Sequence, residues 1–434
     1  MKKKALVLIS ILLAGLCFLF WQKSHLNTQL STYLAENRIQ VVEVESHLFP
    51  TQLSLHQVQF QQNGRWFFFE KIVLDVNMKT LLSGDIQLNE IQLYNGRLAD
   101  SQWKILNLNL KPIELSWQYI SHLFTALSQD IPLNLESPVQ MAFSVNMQNL
   151  VSQMNVQGKF QLLNNGLRFN QLSGQWRFDH PIYGDMDKMV FRLKQGDLYN
   201  EIQDYKHYYG VSFDDFFINE IPFQQGKILI DFQPHLIKGK GDFLSQGSLD
   251  FEFSRTQPHL QVSAQNIALE QWLALFKLPA LVIGKTKLNG EMYFSDLQID
   301  KGRFNLEVMN GKMKNINLFS IITRHLPINY EQQNVQNDSP FEQLTATLSW
   351  DKQKMQWQDL QLRDRYFQLT GQGIIEQNKQ QCDFLVTLNL REKKYQNFRL
   401  PLHFFGDCHS PQYQIGSPKE LKKQLKDLLK QHFH

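Results

Sequence analysis

The stretch "DIQLNEIQLYNG", residues 85–96, contains two runs of strand-like alternation that are out of step with each other. Its first residues alternate polar and apolar, as in a strand with one face in water. Asn89 and Glu90 then intervene before the alternation resumes at Ile91, so a flat strand would turn its later apolar residues to the opposite face. One extra residue forms a β-bulge, which bends the strand and returns later side chains to the original face. The stretch therefore predicts a bulged, half-buried strand.

The same spacing, with two apolar residues on each side of a polar pair, recurs along the chain. Bulges spread along a sheet curve it, so the recurrence favours a long curved β-sheet. Two alternatives stay open: each polar pair is a tight turn between separate strands, or the recurrence is chance in a β-rich chain. The five sets are Leu53, Leu55, Val58 and Phe60; Ile86, Leu88, Ile91 and Leu93; Val211, Phe213, Phe216 and Ile218; Val262, Ala264, Ile267 and Leu269; and Met355, Trp357, Leu360 and Leu362.

The composition excludes several classes of protein. The chain has 434 residues, of which 43% are hydrophobic and 20% charged, so it is neither disordered nor mostly embedded in a membrane. This length suits two or three domains or one long repetitive element. Its 44 basic and 41 acidic side chains give a net charge of +3. Because nucleic-acid binding needs a concentrated basic face, we expect no nucleic-acid partner.

The N-terminus predicts a membrane anchor. Lysines at positions 2–4 precede an apolar run over residues 5–21, which is at the short end for a spanning helix. The run is longer than a usual signal-peptide core, and no small-residue cleavage site follows it. Cys17 resembles a lipoprotein cysteine, but Leu16 stands where that signal needs a small residue. We therefore expect one uncleaved span, with the lysines in the cytoplasm and the bulk across the membrane.

Tight turns separate most of the predicted strands. Asn-Gly between alternating runs is a strong hairpin signal, because both residues accept positive φ, so we expect a largely antiparallel sheet. Helical spacing of apolar residues predicts a few short helices, over residues 26–37, 113–127, 269–276, 318–326 and 417–434. The Asn-Gly pairs lie at residues 63–64, 95–96, 165–166, 289–290 and 310–311.

Three stretches resemble the AsmA family of inner-membrane-anchored, β-rich proteins that face the bacterial periplasm. They are "LLSGDIQLNEIQLYNGRL" (81–98), "GKTKLNGEMYFSDLQIDKGRFNLEVMNGKMKNINLFSIITRHLP" (284–327) and "FEQLTATLSWDKQKMQWQDLQLRDRYFQLTGQGIIEQNKQQCDFLVTLNL" (341–390). The resemblance implies a long sheet folded lengthwise into a gutter with an apolar concave face. It also implies a role in guiding phospholipids between the inner and outer membranes.

The anchor and the resemblance together predict five parts of the chain. Residues 1–24 hold the lysines and the anchor, and residues 25–135 form an N-terminal AsmA-like β region with helices. A middle β region, 136–260, is similar to the family only in style. Residues 261–416 form the C-terminal AsmA-like β region, and residues 417–434 form a basic amphipathic helix.

No pattern in the sequence predicts an enzyme. The densest carboxylates can hold a metal or act as acid and base, but they lie in predicted turns and polar gaps, where solvated residues are the simpler interpretation. The histidines lack metal-ligand spacing, and no phosphate loop, GxSxG or HExxH is present. We expect no catalytic residue, metal site or cofactor, and an enzyme is the less favoured alternative. These carboxylates are Asp185, Asp187, Asp214 and Asp215.

Cys382 and Cys408 predict a disulfide bond, because they are an even pair in the exported region. The strands that end at these cysteines flank the polar turn "REKKYQN". In a hairpin centred on Tyr395 the two would face each other, with Cα atoms about 4.5–5.5 Å apart, which a disulfide accepts. The alternative is two free thiols.

The predicted C-terminal helix begins with a capping box, Ser417 and Glu420, and carries a stripe of leucines. Its basic residues suit anionic lipid headgroups, and its leucines suit a plug at the open end of the sheet. The two interpretations are compatible. The lysines are Lys419, Lys422, Lys423, Lys426 and Lys430.

These observations predict a protein of the bacterial inner membrane, anchored by residues 5–21, with its bulk in the periplasm. We expect it to bind phospholipid acyl chains in an apolar β-groove and to support phospholipid transport or outer-membrane homeostasis. The alternative is a structural or assembly factor that docks outer-membrane or envelope proteins. A groove filled by its own side chains would favour that alternative. The candidate groove-lining residues are Leu53, Leu55, Val58, Phe60, Ile86, Leu88, Ile91, Leu93, Met355, Trp357, Leu360 and Leu362.

Overall fold

The computed structural model shows a mainly β protein with strands β1–β23 and a few short helices. It describes residues 38–47, 51–62, 65–77, 87–99, 101–112, 139–163, 166–180, 186–203, 206–243, 247–275, 280–295, 298–325, 337–351, 353–376, 379–395 and 397–417, with shorter pieces within 24–36, at 115–116 and within 419–427, and Lys79. The predicted anchor at residues 5–21 and Ile86 lie outside these residues. No helix in the described part of the chain is long and apolar enough to span a membrane.

The first of two compact units comprises Met1–Arg177 and Val190–Asn200. Its first eight strands each pair antiparallel with a strand close in sequence, and β5 passes over the short β6 to pair with β7. Strand β9 pairs with β10. The strands are β1 (Glu43–His47), β2 (Gln52–Gln62), β3 (Arg65–Val76), β4 (Gln87–Leu98), β5 (Lys104–Pro112), β6 (Leu115–Ser116), β7 (Val139–Gln148), β8 (Ser152–Leu163), β9 (Gly166–Phe178) and β10 (Lys188–Gln203), the last only partly in this unit.

An N-terminal helical segment within residues 24–36 covers one face of this sheet. Leu30 and Leu34 lie one turn apart, so both point to the sheet, and both are buried in a cluster with the apolar residues of β2 and β3. Arg38 has a φ of 55°, a left-handed conformation that ends the helix. The described residues of the helix predicted over residues 26–37 are helical, while residues 26, 29, 33 and 37 lie outside the described residues.

The second unit comprises Phe178–Met189 and Glu201–His434. It is a meander in which every strand pairs antiparallel with the next. Its elements are β11 (Lys206–Ile218), β12 (Ile221–Phe232), β13 (Leu236–Phe243), β14 (Gly247–Ser254), β15 (His259–Ala268), α1 (Leu269–Leu275), β16 (Val282–Ser295), β17 (Gln298–Met313), α2 (Leu318–His325), β18 (Ser339–Asp351), β19 (Lys354–Arg363), β20 (Phe367–Glu376), β21 (Gln381–Leu390), β22 (Arg399–Asp407) and β23 (Gln412–Ile415).

Helix α2 packs on the C-terminal part of this meander. Leu318 and Ile322 are fully buried there. The backbone N–H of Ser320 donates to Asn317 Oδ1 at 2.8 Å, and that of Leu318 donates to Ser339 Oγ at 2.7 Å. These bonds satisfy donors that a helix start leaves unpaired. The helices predicted over residues 269–276 and 318–326 are both confirmed, as α1 and α2.

Bulges are present at three of the five predicted positions. The pairing of β4 with β3, of β15 with β16 and of β19 with both neighbours shifts by one residue at the polar pair. At the other two positions no register shift occurs between β2 and β3 or between β11 and β12, so the predicted extra residue is absent from these two pairings. Gln57 and Asp215 are left-handed, with φ of 51° and 50°, as Asn266 and Asp359 are at two of the three bulges.

Three of the five Asn-Gly pairs lie in described strands, and the other two are not fully described. Residues 63–64, between β2 and β3, and residue 165, between β8 and β9, lie outside the described residues. The hairpins predicted at 95–96, 289–290 and 310–311 are wrong, because these pairs lie inside β4, β16 and β17. The glycine of each of these three pairs lies under a phenylalanine ring, so a Cβ added to it would be 2.5 Å from a ring carbon. The glycines therefore make room for cross-strand rings, which are those of Phe69, Phe304 and Phe341.

The predicted disulfide between Cys382 and Cys408 is present, with the Cα atoms 5.1 Å apart. The predicted register is wrong by two residues, because Cys382 pairs with Gly406 across the sheet. Residues Lys393–Tyr395 form a short 3-10 helix in the connection, which moves the centre of the hairpin. Cys408 lies in the turn after β22, where its backbone N–H donates to Gln380 O at 2.9 Å.

Two further predicted helices are described only in part. Residues 115–116 of the helix predicted over 113–127 form β6 instead, and the rest of that segment lies outside the described residues. Described residues at 419, 422–424 and 426–427 are helical, as predicted for the C-terminal segment. The backbone N–H of Arg399 donates to Gln424 Oε1 at 2.9 Å, which ties this helix to the start of β22.

Candidate functional site

The second unit contains an apolar cavity of about 580 Å³ that is partly open to solvent, on one face of strands β13–β19 and beneath α1. Every side chain that lines it is apolar. They are Ile237, Leu249, Phe251, Phe253, Leu260, Val262, Ala264, Ile267, Leu269, Trp272, Leu273, Leu288, Met292, Ile299, Phe304, Leu348, Trp350 and Met355.

Period-two alternation places these side chains on one face. In β14, Leu249 and Phe251 line the cavity, whereas Asp250 between them faces a polar depression on the other side of the sheet. In β15 the alternation breaks at Asn266, whose φ is 56°. The bulge there returns Ile267 to the cavity side. Without it, the last part of β15 would turn its apolar residues to water.

Helix α1 forms one wall of the cavity. Leu269, Trp272 and Leu273 are spaced i, i+3 and i+4, so they share one helical face, and all three line the cavity. The ring of Trp272 contacts Phe223 and Phe243 edge-on, with centroids 5.8 and 6.2 Å away. The helix is thereby held against β12 and β13 as well as over the cavity.

A stacked aromatic pair forms another wall. Trp350 lies flat on Phe304, with ring centroids 4.9 Å apart and ring planes 3° apart. Trp350 pairs across the sheet with Gly302, where an added Cβ would lie 2.5 Å from the indole. The glycine therefore lets the indole lie down on the sheet beside Phe304.

Charged groups of this part of the sheet lie on its other face. Lys238 Nζ donates to Glu252 at 2.9 Å, and this hydrogen bond raises the pKa of Lys238. Both residues border the polar depression. Among the described residues, no group of three or more His, Cys, Asp or Glu side chains is placed to hold a metal. The described side chains that line the cavity are all apolar, and this lining suits an apolar ligand.

The predicted groove-lining residues fall into four environments. Met355 lines the cavity, while Trp357 and Leu360 line a separate space of about 40 Å³ and Leu362 is buried in the packed core. In the first unit, the described candidates pack in or against the cluster that holds Leu30. These are Leu53, Leu55, Val58, Phe60, Leu88, Ile91 and Leu93.

Most of the cavity lining was not named as groove-lining from the sequence. Val262, Ala264, Ile267 and Leu269 form one of the five spaced sets, and all four line the cavity. The others lie on β13, β14, β16, β17 and β18 or on α1. The alternation of apolar residues in β14 and β15 could have identified their cavity-lining side chains. It could not have shown that residues of α1 also line the cavity.

Comparisons with known proteins place the chain near two bacterial proteins. It is 24% identical over 436 residues to an uncharacterized protein of Haemophilus influenzae, covering 99% of both chains. It is 22% identical over 207 residues to Protein AsmA of Escherichia coli, covering 43% of this chain and 34% of that protein. No family model matches the chain, and no solved structure matches it. The chain is thus similar along its whole length to the first protein and over less than half of its length to AsmA.

Proposed function

We propose that the protein is an AsmA-like carrier that binds the acyl chains of phospholipids in the β13–β19 cavity and supports phospholipid transport or outer-membrane homeostasis. The observation that carries this proposal is the entirely apolar lining of the cavity. A space lined by Leu, Ile and Phe offers water no hydrogen-bond partners and suits an apolar ligand. The partial similarity to AsmA supports the same reading.

The size and direction of the cavity support an acyl chain over a compact ligand. Its volume of about 580 Å³ lies within the range of about 300–1,000 Å³ of small-molecule sites. It crosses seven strands, which span about 29 Å at about 4.8 Å per strand. Each methylene buried there contributes about 0.8 kcal/mol, so affinity comes from length and needs no polar anchor inside.

The proposal includes a place in the cell. Residues 5–21 anchor the chain in the bacterial inner membrane, with residues 2–4 in the cytoplasm and the bulk in the periplasm. There the protein works as a carrier without catalysing a reaction or holding a cofactor. The triple lysine and the apolar run support this arrangement.

A second candidate function is a structural or assembly factor for envelope proteins. It is favoured by the C-terminal strands, where Trp357, Leu360 and Leu362 are packed against the protein's own side chains. A face filled in this way offers no room for lipid, so that part of the sheet would serve as a rigid surface for a partner.

In-cell photo-crosslinking tests the lipid proposal on the full chain. A photoreactive phenylalanine analogue replaces Phe251, which lines the cavity, or Phe232, which is 51% exposed. We expect acyl-chain adducts, identified by mass spectrometry of the purified protein, at position 251 only. No adduct at 251, or equal adducts at both positions, would contradict the proposal and favour the assembly factor.

A pair of neighbouring substitutions provides the matched control. Ala264→Trp fills the cavity, whereas Ser263→Trp adds the same side chain on the opposite face. We expect Ala264→Trp to lose the adduct at position 251 and Ser263→Trp to keep it. Thermal melting of both variants shows whether the loss reflects a filled cavity or an unfolded protein.

A further inference from the structure

The apolar space of the second unit is interrupted at β19. Met355 lines the large cavity, and Trp357, two residues further along the same face, lines the separate space of about 40 Å³. Leu348 pairs with Trp357 across the sheet and lines the large cavity. The indole of Trp357 therefore stands at the boundary between the two spaces.

Residues of β20 and β21 hold Trp357 in this position. It is 5% exposed and pairs with Gly373 on β20. Gly373 in turn pairs with Phe384 on β21. The Phe384 ring lies over this glycine, since a Cβ added at position 373 would be 2.0 Å from a ring carbon. The rings of Phe384 and Trp357 meet edge to face, with centroids 6.1 Å apart. Phe384 thus prevents the indole from moving away from the cavity.

The space behind Trp357 is too small for an acyl chain. Its volume of about 40 Å³ exceeds the roughly 10–15 Å³ that one water needs, but is far below that of a ligand site. An acyl chain lying across the strands from β13 toward β19 meets the indole and has no path beyond it.

We propose that Trp357 closes the cavity and thereby sets the longest acyl chain that the protein accommodates. This inference rests on the proposed function. It makes the cavity a dead end at β19, so a ligand enters and leaves without passing along the C-terminal strands.

Competition binding on the full chain tests this proposal. Saturated fatty acids of increasing length displace a fluorescent fatty acid from the parent protein, from Trp357→Leu and from Met355→Trp. We expect Trp357→Leu to tighten binding of chains just beyond the parent's optimum, by about fourfold for each additional buried methylene. Met355→Trp shortens the cavity, so we expect it to weaken binding of the longest chains that the parent accepts.

The control is Trp66→Leu, because Trp66 is 37% exposed and belongs to the first unit. It should keep the parent's length profile. If Trp357→Leu is folded and its dependence of affinity on chain length is unchanged, the proposal is overturned. If Trp357→Leu does not melt cooperatively, Met355→Trp decides, and an unchanged dependence on chain length in that variant overturns the proposal. A parent that binds no fatty acid of any length overturns the proposed function itself, which distinguishes the two failures.

Discussion

Cys382 is bonded to Cys408, although the residue that faces it across the sheet is Gly406. The bond therefore joins β21 to the turn after β22 and fixes the end of that strand. Both cysteines are buried, at 4% and 1% exposure.

Breaking this bond should lower the free energy of unfolding by about 3–4 kcal/mol, given a sequence separation of 26 residues and the loop-closure entropy of the unfolded chain. The measurement is thermal melting of the parent with and without reductant. The double variant Cys382→Ala, Cys408→Ala should melt near the reduced parent and show no response to reductant. A parent whose melting does not respond to reductant would contradict the prediction.

Left-handed residues inside strands give a second prediction. Gln57 is exposed with a φ of 51°, a conformation that costs an L-residue about 1–2 kcal/mol and costs glycine nothing. Gln57→Gly should raise the free energy of unfolding by up to about 1 kcal/mol, while the β-branched Gln57→Val should lower it.

Urea unfolding of the two variants is the measurement. The control is Gln61→Gly on the same strand, which lacks the left-handed conformation and should lose about 0.5–1 kcal/mol. Equal losses for glycine at positions 57 and 61 would show that the conformation of Gln57 is unstrained.

The packed C-terminal face gives a third prediction. Leu360 is 6% exposed, so Leu360→Asp buries a charge at a cost of several kcal/mol, comparable with the whole stability of a domain. We expect this variant to be unfolded by circular dichroism and limited proteolysis. Gln361→Glu, on the exposed face of the same strand, should change stability by less than about 0.5 kcal/mol. A folded Leu360→Asp that only loses lipid would mean that this face is an open groove.

Asp364 gives a prediction about pH. It is 8% exposed, and burial raises its pKa, with Glu342 adding to the effect while the backbone N–H groups of Tyr366 and Arg365 and the Arg391 charge oppose it. The folded state thus holds this proton more tightly than the unfolded state. Stability should therefore fall as the pH rises from the ordinary carboxyl pKa through the raised one.

Asp364→Asn keeps the side-chain acceptor for the Tyr366 N–H and removes the charge. Unfolding free energies at about pH 4 and pH 7 should show a growing advantage of the variant toward neutral pH. Parallel profiles for parent and variant would contradict the assignment.

The sequence predicted the class of fold because the alternation of apolar residues reports directly which strands have one buried face. It predicted the bulges at Asn89, Asn266 and Asp359 because an extra residue changes that rhythm. The prediction was wrong where one sequence pattern fits two structures, a hairpin turn or a position inside a strand. Asn310 and Gly311 have the sequence of a hairpin turn but lie inside β17, where Gly311 is under the Phe341 ring.

Conversely, some turns carry no Asn-Gly pair. The connection between β11 and β12 turns at Asn219 and Glu220, with φ of 48° and 66°, the conformation of a type I′ turn. The cavity was harder to predict than the strands, because its closure depends on α1 and on rings such as Trp350 that are distant in sequence from β14.

The meander of the second unit has a consequence for how such a chain is made and how it changes over generations. Among the described residues, each strand from β11 to β23 pairs with its neighbours in the sequence, so the structure can grow one strand at a time as the polypeptide is synthesised, each new strand pairing with the one before it. If a hairpin is inserted or lost between two consecutive strands, the pairing of the remaining strands is unchanged. Length is therefore a property that evolution can adjust in increments of one hairpin, independently of the cavity at β13–β19.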